Sequence, residues 1–269
     1  MQCNPATSKQ RLYGGVSRLA VVVALAASLG ACANKPNNSD ITGSIRNPFA
    51  ATENNPRSDV DRLADEYRNK PGDAQVAIAY AQALRRTEQQ EQAVAVLEQA
   101  TIKNPKHQAL AGEYGRALAD AGRLQQALEV LSRAHTPDQP DWRVLNAQGA
   151  INDQLGNFKA ARRYYQTALK IVPEEPSVLS NLGLSYILSK DLKLAETTLR
   201  RASASPRADK RVRQNLALSL ALQGKFDEAE KIAAGDLPPE EASANIATLR
   251  NMIKQQQQQQ PRNTQRTES

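Results

Sequence analysis

The chain has 269 residues, of which 40% are apolar but only 4% aromatic, and its formal net charge is +7. So few aromatic residues argue against a deep core of large side chains and favour thin layers of closely packed helices. The chain has two cysteines and two histidines. Their spacing excludes a four-ligand zinc site built from them alone, and their number excludes a framework of several disulfides.

The first 31 residues are typical of an export signal. Three basic residues and no acid accompany an apolar run of about eleven residues (19–29), which is too short to span a membrane as a helix. The run leads into Leu-Gly-Ala-Cys, ending at Cys32, and this tetrapeptide resembles the lipobox of bacterial lipoproteins. The resemblance implies a lipoprotein signal peptide over residues 1–31 and lipidation of Cys32. The next residue, Ala33, implies an anchor on the periplasmic face of the outer membrane, since sorting there goes with residues other than aspartate.

Two alternatives stay open for this segment: an ordinary secretory signal with an incidental cysteine, and a buried N-terminal helix. Removal of residues 1–31 leaves 32 basic and 28 acidic residues, so the net charge of the mature chain falls to +4. Such a small charge, in an exported chain with few aromatic residues for base stacking, disfavours a nucleic-acid partner.

The middle of the chain has an internal period of 34 residues. When repeats start at residues 74, 108, 142, 176 and 210, position 20 is always alanine and position 8 is always alanine or glycine. Position 24 is leucine or tyrosine in four of the five copies. Small residues let paired helices approach closely, and prolines near position 32 end the second helix of a pair.

This pattern resembles the tetratricopeptide repeat, a helix–turn–helix unit. The resemblance implies an all-α solenoid of five repeats, with boundaries at 74–107, 108–141, 142–175, 176–209 and 210–243. Solenoid ends need polar caps, and we predict an N-terminal capping helix over 59–73 and a C-terminal one over 240–254.

Two polar segments flank the predicted helices. Residues 32–58 are rich in Asn, Pro, Ser, Gly and Thr and lack helical periodicity, which predicts a flexible tether that carries the lipid at its first residue. Residues 255–269 begin with a run of glutamines, and their composition predicts a disordered tail.

No motif in the chain points to catalysis. The sequence lacks the patterns of serine nucleophiles, zinc proteases and phosphate-binding loops. His107 and His135 lie near repeat junctions without partners at ligand spacing. We therefore expect no enzyme, no cofactor, no metal and no small-molecule substrate.

Tetratricopeptide solenoids usually bind peptides on a concave face that the first helices line at positions 2, 5, 6, 9 and 12. Asparagine amides there can pair with a ligand's backbone, and arginine can bind a carboxylate through two hydrogen bonds. The full carboxylate clamp of some relatives is absent, which makes a C-terminal carboxylate ligand doubtful. The alternative is a solvated concave wall. The candidate groove residues in repeats 3–5 are Arg143, Asn146, Asn181, Leu184, Arg211, Asn215 and Leu218.

A second candidate surface is a basic cluster at the junction of repeats 4 and 5. It would suit an acidic partner or anionic lipid head groups, and its alternative is an ordinary solvated junction. With Arg211, its members are Arg200, Arg201, Arg207, Lys210 and Arg213.

The last third of the chain resembles the TadD family of the tight-adherence system, which builds Flp-type, type IVb pili. The resemblance covers nearly the whole mature chain and is strongest over 176–253. It implies a periplasm-facing lipoprotein scaffold that serves the secretin or other pilus-assembly proteins. The alternative is a general envelope scaffold, such as a factor for outer-membrane protein insertion or an adaptor for cell-wall hydrolases. The segments that carry the resemblance are SNLGLSY (180–186), RVRQNLAL (211–218), QGKFDEAE (223–230) and DLPPEEA (236–242).

Overall fold

The computed structural model describes residues 56–136 and 138–264, and these residues form twelve α-helices. The predicted signal peptide, Cys32 and nearly all of the tether lie outside the described residues. No helix in the described ranges has the length and apolar character needed to cross a membrane. The helices are α1 (Pro56–Asn69), α2 (Ala74–Arg86), α3 (Gln90–Lys103), α4 (Gln108–Asp120), α5 (Leu124–Ser132), α6 (Trp142–Gln154), α7 (Phe158–Ile171), α8 (Pro176–Leu188), α9 (Leu192–Ser203), α10 (Lys210–Leu222), α11 (Phe226–Ala233) and α12 (Pro239–Thr264).

The described residues fall into two compact units, 56–213 and 214–264, and the division passes through α10. In the first unit, α2–α3, α4–α5, α6–α7 and α8–α9 are helix pairs, and each second helix also contacts the first helix of the following pair. The first helices α2, α4, α6 and α8 contact one another in succession, so they share one face of the stack.

Close packing within each pair depends on a small residue at position 8 opposite a large one at position 24. A Cβ added at Gly115, Gly149 or Gly183 would lie 2.4 Å from the side chain of Leu131, Tyr165 or Leu199 respectively. No side chain fits at that distance. The predicted close approach of the paired helices is therefore confirmed in these three repeats.

A left-handed turn at position 15 ends the first helix of every repeat. The residue there has a positive φ in all five copies, and it is glycine in three of them but Glu88 (60°) and Lys190 (66°) in the others. The next residue donates its backbone N–H to a carbonyl five residues earlier, as from Asp191 to Tyr186 at 2.8 Å. This hydrogen bond satisfies a carbonyl that the helix end would otherwise leave unpaired.

The residue at position 34 of each block lies just before the first helix of the next repeat, and its side chain caps the N-terminus of that helix. The sequence analysis missed this regularity. These side chains accept hydrogen bonds from backbone N–H groups two or three residues later, which satisfies donors that have no partner within the helix. The caps and their distances are Asp73 to Gln75 N (2.8 Å), His107 Nδ1 to Leu110 N (3.2 Å), Asp141 to Arg143 N (2.7 Å), Glu175 to Ser177 N (3.4 Å) and Asp209 to Val212 N (3.0 Å).

The terminal helices differ from the predicted bounds. Helix α1 covers Pro56–Asn69, so it begins before the predicted 59 and ends before Pro71, which disfavours helical geometry in the residue before it. Helix α12 continues to Thr264, so it extends past 254, the predicted end of the C-terminal capping helix. Glutamine is a good helix former, and a glutamine run that follows an established helix prolongs it.

The unit 214–264 has a looser core than the repeats before it. Position 8 is Ala217 and position 24 is Ala233, and these small residues line a cavity of about 30 Å³ together with Leu249 of α12. Helix α12 buries Ala242, Ile246 and Leu249 at the spacing of one helical face.

Replacing Lys190 by glycine is expected to raise the free energy of unfolding by about 0.5–1 kcal/mol, because glycine tolerates a positive φ without the Cβ clash. Glu88→Gly is expected to act in the same direction. Urea denaturation of the full chain measures both. Gly156→Ala, at the same position of repeat 3, is the matched control and should destabilise. A Lys190→Gly variant less stable than wild type would contradict this account of the turns.

Candidate interaction cleft

A cleft of about 440 Å³ opens on the face shared by the first helices of the unit 56–213. Its walls come from α2, α4, α6, α8 and the first residues of α10, and most lining residues lie at the repeat positions predicted for the concave face. The polar and aromatic side chains that line it are Arg85, Glu113, Arg116, Asp120, Trp142, Arg143, Asn146, Gln154, Ser177, Asn181 and Arg211.

One end of the cleft is neutralised by a network around Glu113, whose side chain is 8% exposed. Its carboxylate accepts hydrogen bonds from Gln82 Nε2 at 2.8 Å, Arg85 at 3.1 Å and Arg116 at 2.7 Å. Burial acts to raise the pKa of Glu113, but the hydrogen bonds from Arg116 and Gln82 and the two guanidinium charges outweigh it, so the pKa lies below its ordinary value. Arg85 Nε also donates to Asp120 at 2.5 Å. Two arginines and two acids thus balance at this end.

The other end of the cleft is polar and basic. Asn181 Nδ2 donates to Asn146 Oδ1 at 3.0 Å, which ties α8 to α6 across the cleft floor. The Arg143 guanidinium lies 4.5 Å from the centre of the Trp142 ring, a cation–π contact that orients it. Arg211 is exposed and, among the described residues, contacts no carboxylate.

The structure brings together four of the seven predicted groove residues: Arg143, Asn146, Asn181 and Arg211 all line the cleft. Leu184 is half-buried on α8, and it is not part of this lining. Asn215 and Leu218 are only 7% and 2% exposed. They belong to the unit 214–264, where Leu218 lines the small cavity beside α12, so these two side chains are core residues rather than an open surface.

The predicted basic cluster is largely paired with acids of the same chain. Arg200 contacts Glu196 at 2.8 Å, and Arg207 contacts Glu175 at 3.0 Å. Arg201 pairs with Glu174, and Arg213 donates to the Ala208 carbonyl at 2.9 Å. Lys210 is exposed. These pairs reduce the positive excess that the sequence indicates, and exposed pairs of this kind contribute little stability.

Both histidines lie at the predicted repeat junctions and are half-buried. His107 caps α4 through Nδ1, as described above. His135 lies in the connection between α5 and α6. In the described part of the chain no group of three or more His, Cys, Asp or Glu side chains is placed to hold a metal ion.

The family model of the tetratricopeptide repeat matches residues 85–151 and 154–217 of this chain. The chain carries tetratricopeptide repeats. Together with the helix pairs, this match confirms the predicted all-α repeat fold. Tetratricopeptide repeats generally form protein-interaction scaffolds rather than enzymes, because stacking creates an extended concave surface.

Solved structures with the same fold include PilW, described as a widely conserved type IV pilus biogenesis factor. It is 18% identical, with a TM-score of 0.60 over 71% of this chain and 90% of that one. The Cut9–Hcn1 hetero-tetramer of the APC/C gives a TM-score of 0.62 at 16% identity, over 76% of this chain and 40% of that one. Such low identities show the fold alone.

A curated relative is the BBSome complex member BBS4 of Bos taurus, 25% identical over 128 residues. The match covers 48% of this chain, and it spans only a quarter of the length of that relative.

Behind the cleft, the third and fourth tetratricopeptide repeats share a buried polar network that the sequence analysis missed. Asp153 of α6 is 9% exposed. Its carboxylate accepts hydrogen bonds from Tyr165 Oη at 2.8 Å and from Ser185 Oγ at 2.7 Å, so it joins α6, α7 and α8. A signal was available: tyrosine replaces the leucine of other repeats at position 24, and a buried phenol needs a partner.

Burial raises the pKa of Asp153 to about 6, although both hydrogen bonds and the charge of Arg162 oppose the shift. In the unfolded chain the same carboxyl titrates near its ordinary value of 3.8. Between these pH values the folded protein holds the proton more tightly than the unfolded chain does. The stability that Asp153 contributes is therefore fully present below about pH 4 and is lost as the pH rises through about 6.

Asp153→Asn is expected to remove this contribution to the pH dependence. The unfolding free energy of wild type minus that of the variant should fall by about 3 kcal/mol between pH 3.5 and pH 7.5. Urea denaturation of both proteins across that range measures it. Asp138→Asn, at an exposed position between repeats, should keep the wild-type profile. If the unfolding free energies of wild type and Asp153→Asn change in parallel with pH, the raised pKa is wrong, because the buried carboxyl is then already ionised.

Proposed function

We propose that this chain is a non-enzymatic, lipid-anchored scaffold that binds protein partners through the cleft and thereby assembles a type IVb (tight-adherence) pilus machine at the outer membrane. The observation that carries the proposal is the cleft itself, in which Arg143, Asn146, Asn181 and Arg211 from three repeats meet at one end. Its partners would be the secretin or another assembly protein.

The chemistry of the cleft supports a protein ligand. The Asn146–Asn181 hydrogen bond uses one donor and one acceptor, and it leaves Asn146 Nδ2 and Asn181 Oδ1 without partners among the described residues. An amide donor beside an amide acceptor complements the C=O and N–H of a peptide backbone. Such a pair recognises an extended chain of almost any sequence, and flanking side chains then provide the specificity.

Two further observations support the pilus role and the anchor. Residues 176–253 resemble the TadD family, and PilW has the same repeat fold over 90% of its length. The lipobox resemblance at Cys32 supports attachment to the outer membrane on its periplasmic face.

Site-specific photo-crosslinking in cells that make the pilus tests the partner. A benzophenone side chain at Ala150, which lines the cleft without a hydrogen bond to lose, is expected to capture a component of the pilus machine. The same side chain at Thr167, exposed on the second helix α7, is the matched control and should capture none. An adduct with an outer-membrane insertion factor or a wall hydrolase would instead support the general envelope scaffold.

Cys32→Ala tests the anchor. The variant is expected to lose all incorporation of labelled palmitate and to leave the membrane fraction, because the acyl chains are its attachment to the bilayer. Cys3→Ala is the control, since Cys3 lies in the signal peptide. Continued labelling or membrane partitioning of Cys32→Ala would refute lipidation at this residue.

A further inference from the structure

Charge is distributed unevenly along the cleft. The end formed by α2 and α4 holds two arginines and two acids in mutual contact, so it attracts no charged ligand. The end formed by α6, α8 and α10 is lined by Arg143 and Arg211 and by no acidic side chain. The nearby Glu175 carboxylate accepts a hydrogen bond from Ser177 Oγ at 3.0 Å and is paired with Arg207. Neither guanidinium contacts a carboxylate in the described ranges, so a ligand is free to supply one to each.

Arg143, Ser177 and Arg211 occupy position 2 of three successive repeats, and all three line the cleft. They therefore form a row with a hydroxyl between two guanidinium groups. Helix α6 contacts α8, and Leu179 of α8 shares a buried core cluster with Val212 in the first turn of α10. Axes of helices packed side by side lie about 8–10 Å apart, so two such steps separate the backbones at position 2 of repeats 3 and 5 by about 16–20 Å.

The Asn146–Asn181 pair lies between α6 and α8, the first two helices of this row. An extended peptide rises about 3.3 Å per residue, so about five or six residues span the distance between the backbones that carry Arg143 and Arg211. Side chains six residues apart in an extended chain point to the same side, because successive side chains alternate. A ligand whose backbone meets the asparagine amides can therefore direct two separated side chains towards the row.

We infer that the cleft selects extended protein segments with two acidic side chains about six residues apart, one bound by Arg143 and the other by Arg211. The inference rests on the proposed function, because it specifies the ligand of the same cleft. Each guanidinium forms a charge-assisted, two-pronged contact with a carboxylate. The neutral end of the cleft adds no preference of this kind, so the selection comes from repeats 3 to 5.

Fluorescence anisotropy with defined peptides tests the inference on the full chain. The probes are fluorescein-labelled twelve-residue peptides of Ser, Thr and Val with two glutamates separated by two, four, six or eight positions, and versions with glutamine in their place. The probe with a separation of six is expected to bind at least tenfold more tightly than its glutamine version. Raising the salt concentration should weaken its binding. Equal affinity for glutamate and glutamine probes would overturn the inference.

Variants of the two arginines locate the contacts. Arg143→Gln and Arg211→Gln are each expected to weaken binding of the glutamate probe about tenfold while leaving the weak binding of its glutamine version unchanged. Arg163→Gln and Lys210→Gln remove exposed charges outside the cleft and should preserve affinity. Undiminished binding by the double arginine variant would overturn the inference, as would equal loss in the two controls.

These outcomes are separable from failure of the proposed function. If crosslinking at Ala150 captures a pilus component but the arginine variants bind the glutamate probe normally, the scaffold role stands and the acidic preference is wrong. If the glutamate probe binds as expected but crosslinking captures no pilus component, the preference stands and the pilus role fails.

Discussion

The fold depends on the small residue that lies opposite a large one within each helix pair. Because Gly149 has no side chain, the Tyr165 ring can lie where a Cβ would come within 2.4 Å, and the same holds for Gly183 with Leu199. This contact sets the separation of the two helices in a repeat. The first helices of successive repeats contact one another, and this stacking brings position 2 or position 6 of neighbouring repeats to the same face. The cleft is a consequence of this packing rather than of any separate binding loop.

Periodicity made most of the fold predictable, because each repeat must present compatible surfaces to its neighbours. It placed the helix pairs and four residues of the cleft. It could not place Asn215 and Leu218, since the rule for the concave face assumes a further repeat of the same kind. After α10 the chain has short α11 and then α12, and the side chains at positions 6 and 9 of this repeat are buried. The end of α12 was also missed, because composition alone does not distinguish a free glutamine run from one that continues a helix.

The charges of the cleft could not be read from the sequence, because pairing across repeats depends on side-chain geometry. Arg85 and Glu113 are 28 residues apart, and only the structure shows that they neutralise each other. The basic cluster at the junction of α9 and α10 shows the same effect, with Glu174 and Glu175 paired with Arg201 and Arg207. In both cases most of the arginines form ion pairs with acids of the same chain. Arg143 and Arg211, which contact no carboxylate among the described residues, stand out only after the arginines paired with acids have been set aside.

The caps at position 34 have a consequence for how a repeat array of this kind gains or loses repeats. Each first helix is capped by a side chain that lies just before it, at the end of the preceding block of 34 residues. Within repeats 1 to 4, excision or duplication of any 34 consecutive residues therefore keeps one cap, one left-handed turn and one small–large contact per remaining repeat, wherever the cut falls. Recombination between neighbouring repeats needs no particular breakpoint, and arrays of different length can arise without loss of local structure.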